Sequence, residues 1–279
     1  MRELPSRRIT RRRFLAATAA FGGATLADAS AIEPYWLEVS RHDVPVTGLP
    51  AEFDGIRIAQ ISDVHLPGTP DAARRTAQAV ERDRPDIVVL TGDIIEQAVY
   101  LPALTDFASA VRGRLGTFAV LGNWEHKAGI TPAIARAAYA RAGVTFLFNE
   151  SVALRRNGAT LRLVGFDDPV VGAPDPARAL AGRDPADVDL WLIHGPAYAD
   201  TLPRSTPIPA MILSGHTHGG QIRLPGLTLY TPPGSGRYVS GWYRDAFAPL
   251  YVSRGIGTAT IRMRFCCRPE LPVFTLRRG

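Results

Sequence analysis

Five of the six histidines in this 279-residue chain lie in short segments that also hold aspartates and an asparagine, and this crowding constrains the fold more than any bulk property. The segments are Asp63-Val64-His65, Gly92-Asp93, Gly122-Asn123-Trp124-Glu125-His126, Ile193-His194-Gly195 and Gly215-His216-Thr217-His218-Gly219-Gly220-Gln221. The first four directly end apolar runs that read as buried strands, and only His42 lies elsewhere. Side chains that must converge on one ion or substrate are held most rigidly where parallel strands end at one edge of a sheet. The pattern therefore predicts an α/β protein with a metal site at such an edge, an arrangement suited to a hydrolase.

The rest of the chain supports that class. Hydrophobic residues make up 46%, enough for one large domain with a full core. After a linker-like stretch to about Pro50, residues 57–62, 87–91 and 118–121 read as strands. Residues 71–82, 101–111 and 132–142 read as helices, the last with proline in its first turn. This alternation is that of a parallel, doubly wound sheet. The second half is richer in strands. Residues 152–154 and 161–165 flank Asn157-Gly158, a hairpin signal, residues 190–194 and 210–214 are buried strands, and 221–224 with 227–230 straddle Pro225-Gly226. A second sheet packed on the first, with helices outside, accounts for both halves.

The net charge of +6 is uneven. Residues 1–31 carry Arg2, Arg7, Arg8, Arg11, Arg12 and Arg13 against Glu3 and Asp28, a net +4, which leaves +2 for the remainder and argues against a nucleic-acid partner. That basic segment continues as Thr10-Arg11-Arg12-Arg13-Phe14-Leu15, a weakly apolar run at 16–27, then Ala27-Asp28-Ala29 and Ala29-Ser30-Ala31. Charged head, apolar middle and small-residue cleavage site are the order of an export signal. The paired arginines resemble the address read by the twin-arginine export machinery. We therefore divide the chain into a signal segment, 1–31, and a domain, 32–279, located in the periplasm or at the cell envelope. The run at 16–27 is shorter than the roughly 20 residues that span a bilayer, which disfavours a transmembrane anchor. The two cysteines are the neighbours Cys266 and Cys267, a pair poorly placed for a disulfide, which fits folding in a reducing compartment before export.

Residues two apart in an extended segment face the same way, so Asp63 with His65, and His216 with His218, can each meet one ion. Carboxylates, imidazoles and an amide oxygen without thiolate suit manganese, with iron or zinc as alternatives. Asp-x-His, Gly-Asp, Gly-Asn, a later His and Gly-His-Thr-His together resemble the calcineurin-like metallophosphoesterase superfamily over residues 57 to about 269, in a bacterial branch that includes exported enzymes. The resemblance implies a four-layer αββα sandwich with two central mixed sheets and two divalent metal ions at strand ends. It assigns Asp63, His65 and His218 to one ion, Asn123, His194 and His216 to the other, and Asp93 to both. It further implies hydrolysis of a phosphodiester, phosphomonoester or pyrophosphate by a hydroxide held between the ions.

One position departs from the pattern. Where relatives place a histidine after the asparagine, to assist the departing oxygen, this chain has Trp124, whose indole supplies no acid proton near neutral pH. Either His126 takes that role, or no side chain does and the substrates carry good leaving groups. The role of Glu125 beside that substitution is left open. Arg162, Arg223, Arg237, Arg244 and Arg254 are candidate phosphate contacts. Tyr238, Trp242, Tyr243 and Phe247 either form a loop that touches a lipid or base, or pack beneath one. A small phosphoester or lipid-linked phosphate, with peripheral membrane contact, is the expected substrate setting. An envelope binding protein that keeps the fold without efficient catalysis, or a nuclease, are the alternatives.

Overall fold

Two six-stranded mixed sheets face each other, and their chain order explains how distant segments meet at one edge. The computed structural model describes residues 10–224 and 226–279; Arg2, Glu3, Arg7 and Arg8 of the expected signal, and Pro225 of the expected hairpin, lie outside them. The chain opens with helix α1 (Arg11–Ala27), continued by a π-helical turn (Asp28–Ile32) and a 3-10 turn (Glu33–Tyr35). Then follow β1 (Glu38–Val46), β2 (Arg57–Ile61), α2 (Pro70–Asp83), β3 (Ile87–Thr91), α3 (Leu101–Ala110), β4 (Gly116–Val120), α4 (Asn123–Lys127), α5 (Pro132–Arg141) and β5 (Thr145–Phe146). The second half comprises β6 (Glu150–Arg156), β7 (Ala159–Gly165), α6 (Pro176–Ala179), β8 (Val188–Leu192), β9 (Met211–Ser214), β10 (Arg223–Leu224), β11 (Leu227–Thr228), β12 (Gly241–Tyr243), β13 (Leu250–Val252) and β14 (Glu270–Arg278).

The first sheet has the order β1-β14-β2-β3-β4-β5, the second β12-β13-β9-β8-β7-β6, and β10-β11 form a separate hairpin. Strands β2 to β5 are mutually parallel, as are β7, β8, β9 and β13, so their C-terminal ends gather at one edge of each sheet. Strand β3 is apolar at nearly every position because both its faces are covered. Ile87 and Val89 join Ile58, Leu163, Leu190 and Leu213 between the sheets, whereas Val88 and Leu90 pack outward against Ala79, Leu104 and Ala138 of α2, α3 and α5. The outer layer over the second sheet is thinner than the four-layer expectation. Short α6, the turn at Pro196–Thr201 and loop aromatics cover Val164, Trp191 and Ile212.

The hairpin at Asn157-Gly158 forms as the sequence predicts, with φ of 48° and 86°, the left-handed pair a two-residue turn demands. The stretch before Pro50 is not a linker. It contains β1, an edge strand parallel to β14, in which Val44 and Val46 point inward while Arg41 and Asp43 pair with Asp83 and Arg277. Polar outward positions and Pro45, tolerated on an edge, hide it from a pattern reading. His42, the histidine outside the metal segments, stacks on Phe274 at 5.4 Å beside Trp242 and Tyr251.

The N-terminal helical run is longer than the apolar stretch 16–27: it extends from Arg11 to Tyr35, 25 residues that contain an 18-residue window of mean hydropathy 1.3, long and apolar enough to cross a membrane by length and composition, a test that an N-terminal signal also passes. The expected division at residue 31 falls inside this helix. Its end is docked on the domain: the Ala29 carbonyl accepts from the Arg264 amide at 2.8 Å, and the buried Glu33 carboxylate accepts from the amides of Cys266, at 2.8 Å, and Cys267.

Near the gathered strand ends, buried Gln60 of β2 donates through Nε2 to Thr91 Oγ1 at 3.0 Å and, across the gap between sheets, to the Ser214 carbonyl at 2.9 Å. Gln60→Leu conserves volume but leaves that carbonyl without its donor. We expect an unfolding free energy lower by about 1–3 kcal/mol in urea titration; an unchanged midpoint would show that the cross-sheet bond contributes nothing.

Candidate metal centre

Each expected ligand sits in the first turn after a strand, and the backbone there is unusual. Asp63, His65, Asp93, His216 and His218 all have φ between 51° and 72°, a left-handed conformation that non-glycine residues rarely adopt. Such turns reverse the chain at the sheet edge and aim the side chain back over the strand ends. They cost on the order of 1–3 kcal/mol each, so surrounding contacts must enforce them. Glu125 does much of this. Fully buried on α4, its Oε2 accepts from the amides of Asp93 and Gly122, both at 2.9 Å, and its Oε1 from Ile94 at 2.6 Å and Ile95 at 3.1 Å. The residue whose role the sequence left open is therefore the clamp on the Asp93 turn.

Two groups of ligand atoms result. One oxygen or nitrogen each from Asp63, His65 and His218 lie within 4.8 Å of one another, and the same holds for Asp93, His194 and His216. Asn123 Oδ1 joins the second group, 2.8 Å from His216 Nδ1 and 3.2 Å from His194 Nε2. Asp93 faces both groups: its Oδ2 lies 3.1 Å from His194 Nε2 and 3.8 Å from His65 Nε2, while Oδ1 accepts from the Trp124 amide at 2.8 Å.

The outward nitrogens fix which lone pairs point inward. His194 Nδ1 donates to the Thr91 carbonyl at 2.7 Å, His216 Nε2 to the Pro233 carbonyl at 2.7 Å, and His65 Nδ1 to the Glu96 carboxylate at 3.1 Å. With those protons outward, His65 Nε2 and His218 Nε2 stand 2.9 Å apart with Asp63 Oδ1 3.5 Å from the latter. His218 Nδ1 is buried without any partner. Converging imidazole lone pairs, carboxylates and an amide oxygen, with no thiolate, form a donor set that divalent cations satisfy and neutral imidazoles leave unbalanced. The electrostatics divide the histidines. Burial and neighbouring His194 push His216 down to about 4, and burial, His65 and Arg264 push His218 well below its ordinary value, favouring in these two the neutral form that binds metal. Burial acts the same way on His65 and His194, but the Glu96 and Asp93 carboxylates outweigh it and raise both. Burial opposes ionisation of Asp93, but His194 and His65 outweigh it and hold the carboxyl below its usual range.

Glycines serve two purposes at this edge. Gly92 has a φ of +89°, and a Cβ there would stand 2.7 Å from His194 Nδ1. Gly122 and Gly215, which the sequence marks as turn formers, have no positive φ; a Cβ at either would overlap the Asp93 or the Asp63 carboxylate, so these positions are glycine for want of space.

Above the ligands lies a cavity of about 640 Å³. Asp93, Asn123, His216 and His218 border it with Trp124 and Lys127, and its walls include Val170, Ile222, Leu229, Tyr230, Pro232, Pro233 and Ile261. Lys127 is the one cation among the described lining residues; none of the five candidate arginines is there. Arg162 pairs with Asp187, Arg237 with Asp245, Arg254 with Glu38 and Glu270, and Arg244 lies over the Trp242 ring; Arg223 lies in β10. The aromatics of the 230–251 stretch pack beneath loops: Tyr238 against Tyr243, Trp242 against Tyr251, Phe247 on Trp191. His126 does not line the cavity. Its Nε2 is 2.6 Å from Asp167 Oδ1, and this carboxylate raises its pKa. Lys127, Glu96 and Asp167 are additions that the sequence reading lacks. Asp167 follows β7 as the other acids follow their strands, but without a histidine beside it the signal is invisible.

Fold and site together define a hydrolase of the metallophosphoesterase class: two mixed sheets whose strand ends present two adjoining N/O donor groups that share one carboxylate. Residues 56–220 match the family model described as calcineurin-like phosphoesterase, and the chain belongs to that family. It is 30% identical to the uncharacterized metallophosphoesterase YkuE of Bacillus subtilis over 97% of this chain and 99% of that one. It is 31% identical to the phosphodiesterase YaeI of Escherichia coli, over 96% and 99%. It is also 28% identical to the UDP-2,3-diacylglucosamine pyrophosphatase LpxG of Chlamydia trachomatis, over 87% and 90%.

Glu125→Gln turns one acceptor into a donor facing buried amides. We expect at least one unsatisfied amide, a loss of about 1–3 kcal/mol, and a weaker hold on manganese because the Asp93 turn relaxes. Thermal denaturation with and without the metal measures both; a variant with wild-type melting and metal-induced stabilisation would remove Glu125 from its clamping role.

Proposed function

We propose that the protein hydrolyses a phosphodiester or pyrophosphate bond of a lipid-linked substrate at the cell envelope, with two manganese ions. One observation carries this reading: the two donor groups sharing Asp93 present Asp93, Asn123, His216 and His218 to a cavity whose walls are mostly apolar and whose described lining holds a single cation. When bound, the two ions supply Lewis acidity toward the phosphoryl group and make hydroxide available at neutral pH.

The chain's own residues supply the rest. Asp93 offers one oxygen to both donor groups, and Glu125 keeps that oxygen in place through the turn it clamps. The Thr91 and Pro233 carbonyls and the Glu96 carboxylate hold His194, His216 and His65 in single tautomers. Lys127, with Nζ 4.9 Å from the Trp124 ring centroid, stands at the cavity wall where it can offset phosphoryl charge. Trp124 closes the same wall with an apolar face. With His126 outside the lining and engaged by Asp167, the geometry favours departure of a good leaving group without an imidazole acid. A pyrophosphate, or a diester with an acidic alcohol, fits that requirement. The apolar walls suit acyl or prenyl chains better than a nucleic acid, which calls for a basic track. YaeI's name as a phosphodiesterase and LpxG's as a pyrophosphatase of a diacylated sugar nucleotide agree in chemistry. For location, the Arg11-Arg12-Arg13 head before an apolar helix supports export by the twin-arginine route, with the domain outside and α1 in the membrane.

Full-length protein loaded with manganese is expected to hydrolyse bis(p-nitrophenyl) phosphate, and Asp93→Asn to lower kcat at least about 100-fold. A metal-replete Asp93→Asn variant with wild-type turnover would overturn the assignment. In the same assay His126→Ala should lower turnover of nitrophenyl and alkyl esters by similar small factors; a loss confined to alkyl esters would identify His126 as the acid.

A further inference from the structure

Sixteen large hydrophobic side chains are exposed among the described residues, and they are not scattered. Six belong to the N-terminal helix and its exit: Phe14, Leu15, Phe21, Leu26, Ile32 and Trp36. Five more are 46–67% exposed: Leu229, Tyr230 and Ile261 line the metal-site cavity, and Leu224 and Leu227 pair across the adjoining β10–β11 hairpin. A soluble surface rarely concentrates apolar groups in this way unless something covers them.

The two sets are mechanically joined. The hairpin loop is tied to the second loop by Gln221, whose Nε2 donates to the Ile261 carbonyl at 2.7 Å and whose Oε1 accepts from Ala259 at 2.9 Å, and by the Arg223 amide, which donates to Phe265 at 2.8 Å. The same second loop carries the docking point of the helix. Arg264 donates its amide to Ala29, its buried guanidinium binds the carbonyls of Arg254, Gly255, Gly257 and Cys267, and the next two amides but one are held by Glu33. Ile261 and Arg264 are only three positions apart, a reach of at most about 11 Å. Tyr35 and Trp36 mark the helix exit, with the Arg268 guanidinium 4.3 Å over the Trp36 ring, as aromatic residues do at a membrane–water boundary. The helix end and the apolar rim are therefore neighbours on one loop.

We propose that Leu224, Leu227, Leu229, Tyr230 and Ile261 form a membrane-docking surface, seated on the phospholipid bilayer that holds α1, so that the cavity opens toward lipid. The Ala29–Arg264 and Glu33–Cys266 contacts fix the angle between anchor and domain. Arg262, next to Ile261, is exposed and could pair with a lipid phosphate. This surface rests on the envelope location proposed above but not on catalysis.

The test uses the full chain in nanodiscs of phosphatidylethanolamine and phosphatidylglycerol. A photoreactive p-benzoylphenylalanine replaces Leu227 in one sample and, as the control, Ile208 in another; Ile208 is exposed but precedes β9, at the end of that strand away from the metal site. Co-elution with the nanodisc reads the anchor, and lipid crosslinking reads the rim. We expect co-elution of both samples and at least a fivefold higher yield of phospholipid adduct at position 227 than at 208. Co-elution with equal yields would overturn the docking surface alone. A protein–protein adduct at 227 in place of lipid would assign the rim to a second copy and overturn it too. Failure to co-elute would overturn the envelope location and the docking surface together. The double variant Leu224→Asp/Leu227→Asp, outside the cavity lining, should keep its turnover of bis(p-nitrophenyl) phosphate while a crosslinker at Ile261 loses most of its lipid adduct; undiminished adduct would count against the rim.

Discussion

The amide of His216 donates to both oxygens of Asp63, at 3.0 and 3.1 Å, and the rest of the site depends on that contact. Asp63 follows β2 in the first sheet, and His216 follows β9 in the second. The bond fixes the two strand ends together at the gathered edge, with Gln60 bridging to Ser214 just beneath. Each donor group contains ligands from both sheets: Asp63 and His65 with His218, and Asp93 with His194 and His216. If the sheets slid by one residue, neither group would close.

Holding five ligands in left-handed turns is costly, and the network around them shows how the fold offsets it. Glu125 satisfies four amides of the Asp93 and Gly122 turns. Gly257 donates to the Asp63 carbonyl at 2.7 Å, and the loop that carries it is held by the buried Arg264 guanidinium. Cys267 Sγ reaches the His218 carbonyl at 3.2 Å, and Glu33 holds the Cys267 amide. The end of the N-terminal helix is thus two hydrogen bonds from a metal-site turn, and one loop joins that helix, the exposed apolar side chains and the metal site.

Much of this was legible in the sequence because strands buried on both faces read as apolar runs and their ends read as polar punctuation. The seven expected ligands, and the Asn157-Gly158 turn, follow from that pattern with the family resemblance. What escaped has physical reasons. Edge strand β1 alternates weakly and contains proline, and β14 is inserted between β1 and β2 from the far end of the chain, a pairing no local signal announces. Glu125, Glu96 and Lys127 act through backbone amides, a second imidazole nitrogen and a helix face, none of which has a fixed spacing. The extent of the N-terminal helix was missed because residues 28–35 are polar and prolyl in part, yet the domain holds them helical through Arg264 and Cys266.

The central claim is that two adjoining donor groups, sharing Asp93, each hold one divalent ion. Manganese content of the purified, saturated chain, measured by elemental analysis together with anomalous scattering from crystals, tests it directly. The account predicts two ions per wild-type chain, the loss of the one beside Asp63 in His218→Ala, and the loss of the one beside Asn123 in His216→Ala. A single ion per wild-type chain, or two ions retained in both variants, would contradict it.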